Sequence, residues 1–418
     1  MEPMKILIKS DRGIIQRDAP TERILEIAVK APALESQKQS PPFNLGLVID
    51  RSGSMSGEKL EQVKTAVLRI LELLDANDLI SIVMFDDQVR TLCSGIFATA
   101  ENKNELAGTL RQIHAGGSTD LCSGYLEGCR CVANQPMEGR INRVLLLTDG
   151  EANVGVTDPM QISQYSSDLF ERGIVTSTFG VGLGFNEVLL QLMADRGGGH
   201  TYYIQEDSQI QAFLLKEFAE MAALSAHKVE VTLAFPAACT LEVFGDWKHR
   251  FHTGILQIAL SDLAADSVTR VMIKTLTPPG DGELVFNASV EAASPEGERL
   301  QASSQLVLQY ASRQEVENAE PDRDLLGMFA SVLLGHVTRE AILLERRHEY
   351  VKAEKVLQST LERYGSYAPE SIRIQYMQLK EQIRFGLDER SRKNSNQIAF
   401  EMRKSQHPDQ KTDKDQWD

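Results

Sequence analysis

Hydrophobic and polar positions change their period along the chain, and each change marks a different kind of structure. Residues 1–42 carry two strand-like runs, Lys5–Lys9 and Arg23–Lys30; in the second, Ile24, Glu26 and Ala28 alternate with Leu25, Ile27 and Val29. A polar stretch from Glu35 to Pro42 reads as a linker. From Phe43 to Leu224 short apolar runs alternate with amphipathic segments. The expected strands are Leu45–Ile49, Leu79–Phe85, Val144–Leu147, Ile174–Val181 and His200–Ile204. Helical spacing recurs between them, as in Leu60, Val63, Val67, Ile70, Leu71 and Leu74. Near-continuous apolar strands separated by helices imply a doubly wound, mainly parallel α/β sheet covered on both faces.

From Ala226 to Ala311 the period becomes two, with runs such as Val229, Val231, Leu233 and Leu284, Phe286, Ala288 separated by turn clusters such as Pro278–Gly282. Residues 225–312 are therefore expected to form an antiparallel β-sandwich. Two strands alone are marginal, so the N-terminal pair (1–42) is expected to complete that β domain, with the α/β unit 43–224 inserted in it. Residues 318–387 are expected to be helical, with an apolar stripe of Leu326, Phe329, Leu333, Val337, Ala341 and Leu344. One segment, AEKVLQSTLERYG, resembles a tetratricopeptide helix, but no second copy follows at that family's repeat length. Residues 388–418 hold seven acidic and seven basic residues with few apolar ones, and are expected to be a disordered tail.

Charge narrows the partners. Asp and Glu number 59 against 44 Lys and Arg, a net charge of −15, which argues against nucleic acid or an anionic membrane as the main partner. The N-terminal residues lack the apolar core of a signal peptide, and no apolar run approaches the ~18 residues of a membrane span. The five cysteines include no C-x-x-C pair and read as buried free thiols. Together these features lead to an expectation of a cytoplasmic protein without membrane insertion.

The candidate chemistry lies in the α/β part. The apolar run Phe43–Ile49 leads directly into Asp50-Arg-Ser52-Gly-Ser54-Met-Ser-Gly, and an amphipathic helix follows. Asp50, Ser52 and Ser54 thus occupy alternate positions after a buried parallel strand, where open α/β sheets place their ligands. Gly116-Gly117-Ser118-Thr119-Asp120 supplies a second hydroxyl-bearing loop, and Leu145-Leu-Leu-Thr148-Asp149-Gly150 an acidic third. One carboxylate and two hydroxyls in the first loop are hard oxygen ligands suited to Mg²⁺.

This arrangement resembles the von Willebrand factor A domain and its metal-ion-dependent adhesion site. In that family D-x-S-x-S is joined by a Thr from a second loop and an Asp from a third, met here by Asp50, Ser52, Ser54, Thr119 and Asp149. The resemblance covers residues 43–224. It implies direct ligation by both serines and Thr119, with Asp50 and Asp149 acting directly or through water. It further implies a Mg²⁺, with Mn²⁺ or Ca²⁺ as alternatives, that takes an Asp or Glu from a protein partner, so that the chain is a non-enzymatic scaffold or adaptor. A looser resemblance, in layout alone, is to bacterial relatives of inter-alpha-trypsin inhibitor heavy chains. Because A domains also work beside AAA+ ATPases, a subunit of a chelatase-like or chaperone-like complex is the alternative; a metal-dependent hydrolase is a further one.

Other readings of the same residues are weaker. An isolated D-x-S-x-S is also what a helix cap looks like. An aspartyl phosphatase would need a second carboxylate where Ser52 stands. The stretch Gly53 to Leu60 lacks the G-K-[ST] ending of a P-loop. His249 and His252 read as surface residues, His114 and His200 as local hydrogen-bonding groups, and Asp75, Asn77 and Asp78 as a turn.

Overall fold

The computed structural model describes residues 3–33, 41–295 and 297–403. Most of the expected linker, and the tail beyond residue 403, lie outside the described residues. The chain divides into two compact units, one of residues 35–224 and 295–298, the other of residues 1–34, 225–294 and 299–418.

In the divided unit the leading strands are β1 (Lys5–Ser10), β2 (Ile14–Gln16) and β3 (Thr21–Lys30). The α/β unit then runs β4 (Phe43–Asp50), α1 (Glu58–Leu73), β5 (Leu79–Phe85), β6 (Val89–Phe97), α2 (Ala100–Arg111), α3 (Leu121–Ala133), β7 (Ile141–Thr148), α4 (Pro159–Glu171), β8 (Val175–Val181), α5 (Glu187–Arg196), β9 (Gly198–Ile204) and α6 (Ile210–Ala222). Its sheet has six strands in the order β6-β5-β4-β7-β8-β9, all pairs parallel except β5–β6. The strand β6 was not among the expected ones. It is an edge strand whose residues are exposed or half-buried, so it lacks an apolar run.

Both faces of this sheet are covered. Leu45, Leu47 and Ile49 of β4 join α1, α2 and α6 in one core, whereas Val48 joins α3, α4 and α5 in another. Period-two alternation explains why a strand buried at every position feeds two cores. Helix α3 lies especially close to the sheet: a Cβ on Gly128 would fall 2.1 Å from Val48 Cγ2, and one on Gly124 2.5 Å from Phe85. These two glycines, one helical turn apart, bring the N-terminus of α3 and the preceding Thr119 against the end of β4. The first crossover leads from β4 to β5 on one side, and β7 lies on the other, so the sheet has its topological switch point beside β4.

The divided unit continues with β10 (Leu224–Ala234), β11 (Thr240–Phe244), β12 (Lys248–His252), β13 (Ile255–Ala259), β14 (Leu263–Ala264), β15 (Val268–Thr277), β16 (Glu283–Ala293) and β17 (Arg299–Ala311). They form a four-stranded sheet, β1-β3-β15-β11, and a seven-stranded one with the path β12-β13-β10-β16-β17-β2. Along these two paths pairing is antiparallel apart from β17–β2, which is parallel. One core draws on both sheets, with Leu25, Ile27 and Val29 from β3 and Val229, Val231 and Leu233 from β10. The N-terminal strands thus pair within the sheets of residues 225–311.

Helices follow: α7 (Arg313–Asn318), α8 (Arg323–Arg346), α9 (Tyr350–Tyr364), α10 (Glu370–Ile383) and α11 (Glu389–Arg403). Leu325, Leu326, Phe329 and Val332 of α8 pack with Ile24, Phe244 and Met272, on the sheet face opposite the inner core. Helix α8 is long and apolar enough to cross a membrane, yet 72% of its most apolar window is buried in this fold. Two expectations are corrected here. Helix formation begins at Arg313, ahead of residue 318, because Ser312 and Glu315 form a capping box. Residues 388–403 are not a disordered tail: α11 packs its Ala399, Phe400 and Met402 inward. Its charges misled because they are partnered, with Arg403 pairing with Asp246 and Arg392 Nε lying 3.0 Å from Glu345 Oε2.

Candidate metal centre

The five residues expected at a metal site come from three chain segments that end at the switch point. Asp50 is the last residue of β4, Asp149 follows β7 directly, and Thr119 sits in the loop before α3. Backbone hydrogen bonds tie the loops together. Gly53 N donates to Gly117 O at 3.1 Å, Gly116 N to Arg51 O at 2.8 Å, and Asp120 N to Asp86 O at 2.7 Å. Gly117 takes a left-handed conformation (φ +72°) with Asp86 and Asp87 against it, leaving no room for a Cβ.

The side chains converge in the same way. Asp50 Oδ1 accepts from Ser52 N at 2.7 Å; Ser52 Oγ and Ser54 Oγ are 3.2 Å apart; Ser54 Oγ donates to Asp149 Oδ1 at 2.6 Å. A methyl group built on Gly150 would lie 3.3 Å from Thr119 Oγ1 and 4.0 Å from Asp50 Oδ2, so these two oxygens border one small space. All five expected residues are therefore brought together. Asp50 and Asp149 are 0% and 2% exposed, and Ser54 is on the surface.

Electrostatics make this a site that favours a cation. Burial pushes the Asp50 carboxyl up from its ordinary range; hydrogen bonds from Ser52 and Thr148 oppose the shift, and the nearby Asp149 charge adds to it. Two buried carboxylates that feel each other's charge are costly unless positive charge joins them. Three hydroxyls and two carboxylates form an all-oxygen donor set, which fits a hard divalent cation and not a thiophilic one.

Two residues were not foreseen. Thr148 Oγ1 donates to Asp50 Oδ2 at 2.6 Å and accepts from Gly150 N at 3.1 Å, holding the β4 and β7 ends in register. Lys59, on the first turn of α1, places Nζ 2.5 Å from Asp149 Oδ2 and donates to Ser54 O at 3.3 Å. The signal for the first was the threonine before Asp149; for the second, a cation one helical turn beyond the serine loop.

Among the described residues one cluster of histidine and carboxylates has ligand atoms within 4.8 Å of one another: His200, Glu217 and Glu220. It lies on β9 and α6, apart from the five residues. His200 Nδ1 is 2.9 Å from Glu217 Oε2, as fits the local hydrogen-bonding role expected for it. His249 is exposed and bonds Trp247 O through Nδ1, while Asp78 accepts from Phe43 N and Asp75 N as a turn residue does.

Comparison with known proteins places these features in a wider set. Residues 44–216 match the family model of the von Willebrand factor type A domain. The uncharacterised protein YfbK of Escherichia coli is 32% identical over 221 residues, 52% of this chain and 38% of that protein. Human inter-alpha-trypsin inhibitor heavy chain H3 is 27% identical over 74% of this chain and 33% of its own length. The uncharacterised protein sll0103 of Synechocystis is 27% identical over 65% of each. The chain thus spans between about a third and two thirds of these curated relatives. Among solved structures, a von Willebrand factor type A protein from Catenulispora acidiphila has a TM-score of 0.73 at 13% identity, covering 95% of this chain and 96% of its own. The ArnB paralog VWA2 from Sulfolobus acidocaldarius has 0.63 at 18%, covering 97% and 99%. At these identities the likeness is one of fold.

Proposed function

Because residues 44–216 are a von Willebrand factor type A domain, we propose that this chain is a metal-dependent protein-interaction module. The observation that carries the reading is the convergence of Asp50, Ser52, Ser54, Thr119 and Asp149 on one small, partly open space at the switch point. Ser52, Ser54 and Thr119 would hold a Mg²⁺ with neutral oxygens, and Asp50 and Asp149 would balance its charge. A cation so held keeps much of its positive charge and supplies a position for an acidic side chain of a protein partner. The chain's own residues do the rest. Thr148 fixes Asp50, Ser54 joins the Asp50 loop to Asp149, and the Gly116–Gly117 turn holds Thr119 in place.

No step of bond-making is needed, and the module acts as a scaffold or adaptor. The two sheets with a common core, read as a β-sandwich, and the helices α8–α11 offer surfaces for further contacts. All five cysteines are free, which supports a reducing, intracellular setting.

The test is calorimetric titration of Mg²⁺ into the wild type and Asp50→Ala, followed by partner capture with and without EDTA. The reading requires a saturable Mg²⁺ isotherm lost in Asp50→Ala, and capture lost in both EDTA and the variant. Capture indifferent to both would overturn it.

A further inference from the structure

A second site of different chemistry lies beside the serine loop. A cleft of about 250 Å³ opens near the β5–β6 edge of the α/β unit, lined by Arg51, Arg90, Gln112 and His114 above Met84 and Ile113. No acidic side chain lines it. Arg51 Nη2 pairs with Asp86 at 2.7 Å and its Nη1 donates to His114 O at 3.5 Å, which leaves part of the guanidinium's donor capacity unspent. Among the described residues the side chains of Arg90, Gln112 and His114 have no hydrogen-bonding or ionic partner. Four donor-bearing side chains therefore share one space with unused hydrogen-bonding capacity, and three of them are of basic residue types.

A chain of net charge −15 does not gather anions by its overall field, so any anion selectivity here must come from these local donors. Guanidinium groups pair with carboxylate or phosphate oxygens in two-point geometry, and such charge-assisted contacts are stronger than neutral ones. The volume is below the roughly 300–1,000 Å³ of pockets for drug-sized ligands, which limits the occupant to one charged group on a short carbon chain. Met84 and Ile113 provide an apolar floor for those carbons.

We propose that this cleft binds a small organic oxyanion, a carboxylate or phosphate on a short carbon chain, through Arg51, Arg90 and His114. The proposal stands apart from the metal reading, since none of these three side chains belongs to the five-residue oxygen set.

The experiment titrates glutarate and, separately, inorganic phosphate into the full chain in EDTA, following binding by calorimetry. Wild type should bind at least one of them saturably, and Arg90→Gln should weaken that binding by roughly tenfold or more, the loss of one charge-assisted contact. Tighter glutarate binding identifies a carboxylate ligand; tighter phosphate binding identifies a phosphate ester. His114→Gln should weaken the same isotherm, and the thermal transition of both variants should match wild type, because both side chains are exposed. Absence of saturable binding by either anion, or equal binding by wild type and Arg90→Gln, overturns the proposal.

Discussion

Lys59 Nζ lies 2.5 Å from Asp149 Oδ2, so the third-loop carboxylate of the candidate metal centre already carries a cation from the chain itself. Ser54 Oγ occupies the other oxygen of the same carboxylate. The ammonium balances part of the buried negative charge, and a divalent cation held by the five oxygens must share Asp149 with it. Lys59→Met should therefore tighten Mg²⁺ binding, by about fivefold, the order expected for removing one partly screened like charge. Calorimetric titration at fixed ionic strength measures it. Weaker binding in the variant would instead make Lys59 a support that orients Asp149.

Thr148 gives a second prediction. Its hydroxyl donates to Asp50 Oδ2 inside a site where Asp50 is fully buried. Thr148→Val keeps the shape and removes the donor, leaving a buried carboxylate oxygen short of a partner. The metal-free protein should lose about 1–3 kcal/mol in urea unfolding. Mg²⁺ affinity should fall by roughly 10–100-fold, as for other groups that orient a metal ligand. A variant with unchanged Mg²⁺ affinity would show that Thr148 has no part in orienting Asp50.

What made the site legible was local: an apolar strand, a turn of short oxygen side chains and a helical stripe follow one another between Phe43 and Leu74. The same holds for Leu145–Gly150. What escaped were features whose signal is tertiary. Strand β6 has an exposed or half-buried pattern, Val89 to Phe97, because it pairs on one edge only, so no periodicity announces it. Helix α11 carries four basic and two acidic residues, and only the fold reveals that Arg403 and Arg392 are partnered inside it. Lys59 and Thr148 were visible as residues, but their roles depend on distances across β4, β7 and α1 that spacing does not encode.

Helix α11 is the correction with the sharpest consequence for stability. Phe400 is 1% exposed. Gly335 of α8 also approaches this helix closely, since a Cβ there would fall 2.8 Å from Ala399 O. Phe400→Ala should destabilise the unit by about 3–5 kcal/mol, the range for truncating a buried aromatic. Chemical denaturation followed by circular dichroism would read it. A variant as stable as wild type would mean that residues 389–403 contribute no packed core.

Acid should act on stability through Glu217, which is buried between β8, β9 and α6. Burial alone pushes its carboxyl up, but the charges of His200 and Arg143 and the hydrogen bonds from His200 and Ser177 more than offset this and hold it down to about 2. Ser177 Oγ donates at 2.6 Å and Tyr202 Oη at 2.8 Å. A carboxyl depressed in the folded state stabilises fully above its unfolded value of about 4.5, and that contribution is lost as pH falls towards 2. The full span is worth up to about 3 kcal/mol. Glu217→Gln keeps the size and removes the titration. Its unfolding free energy should be lower than wild type at pH 5, and the gap should narrow steadily down to pH 3. Urea denaturation across that range, in EDTA to keep metal out of the comparison, decides the matter: a gap that stays constant would assign the acid sensitivity to other carboxylates.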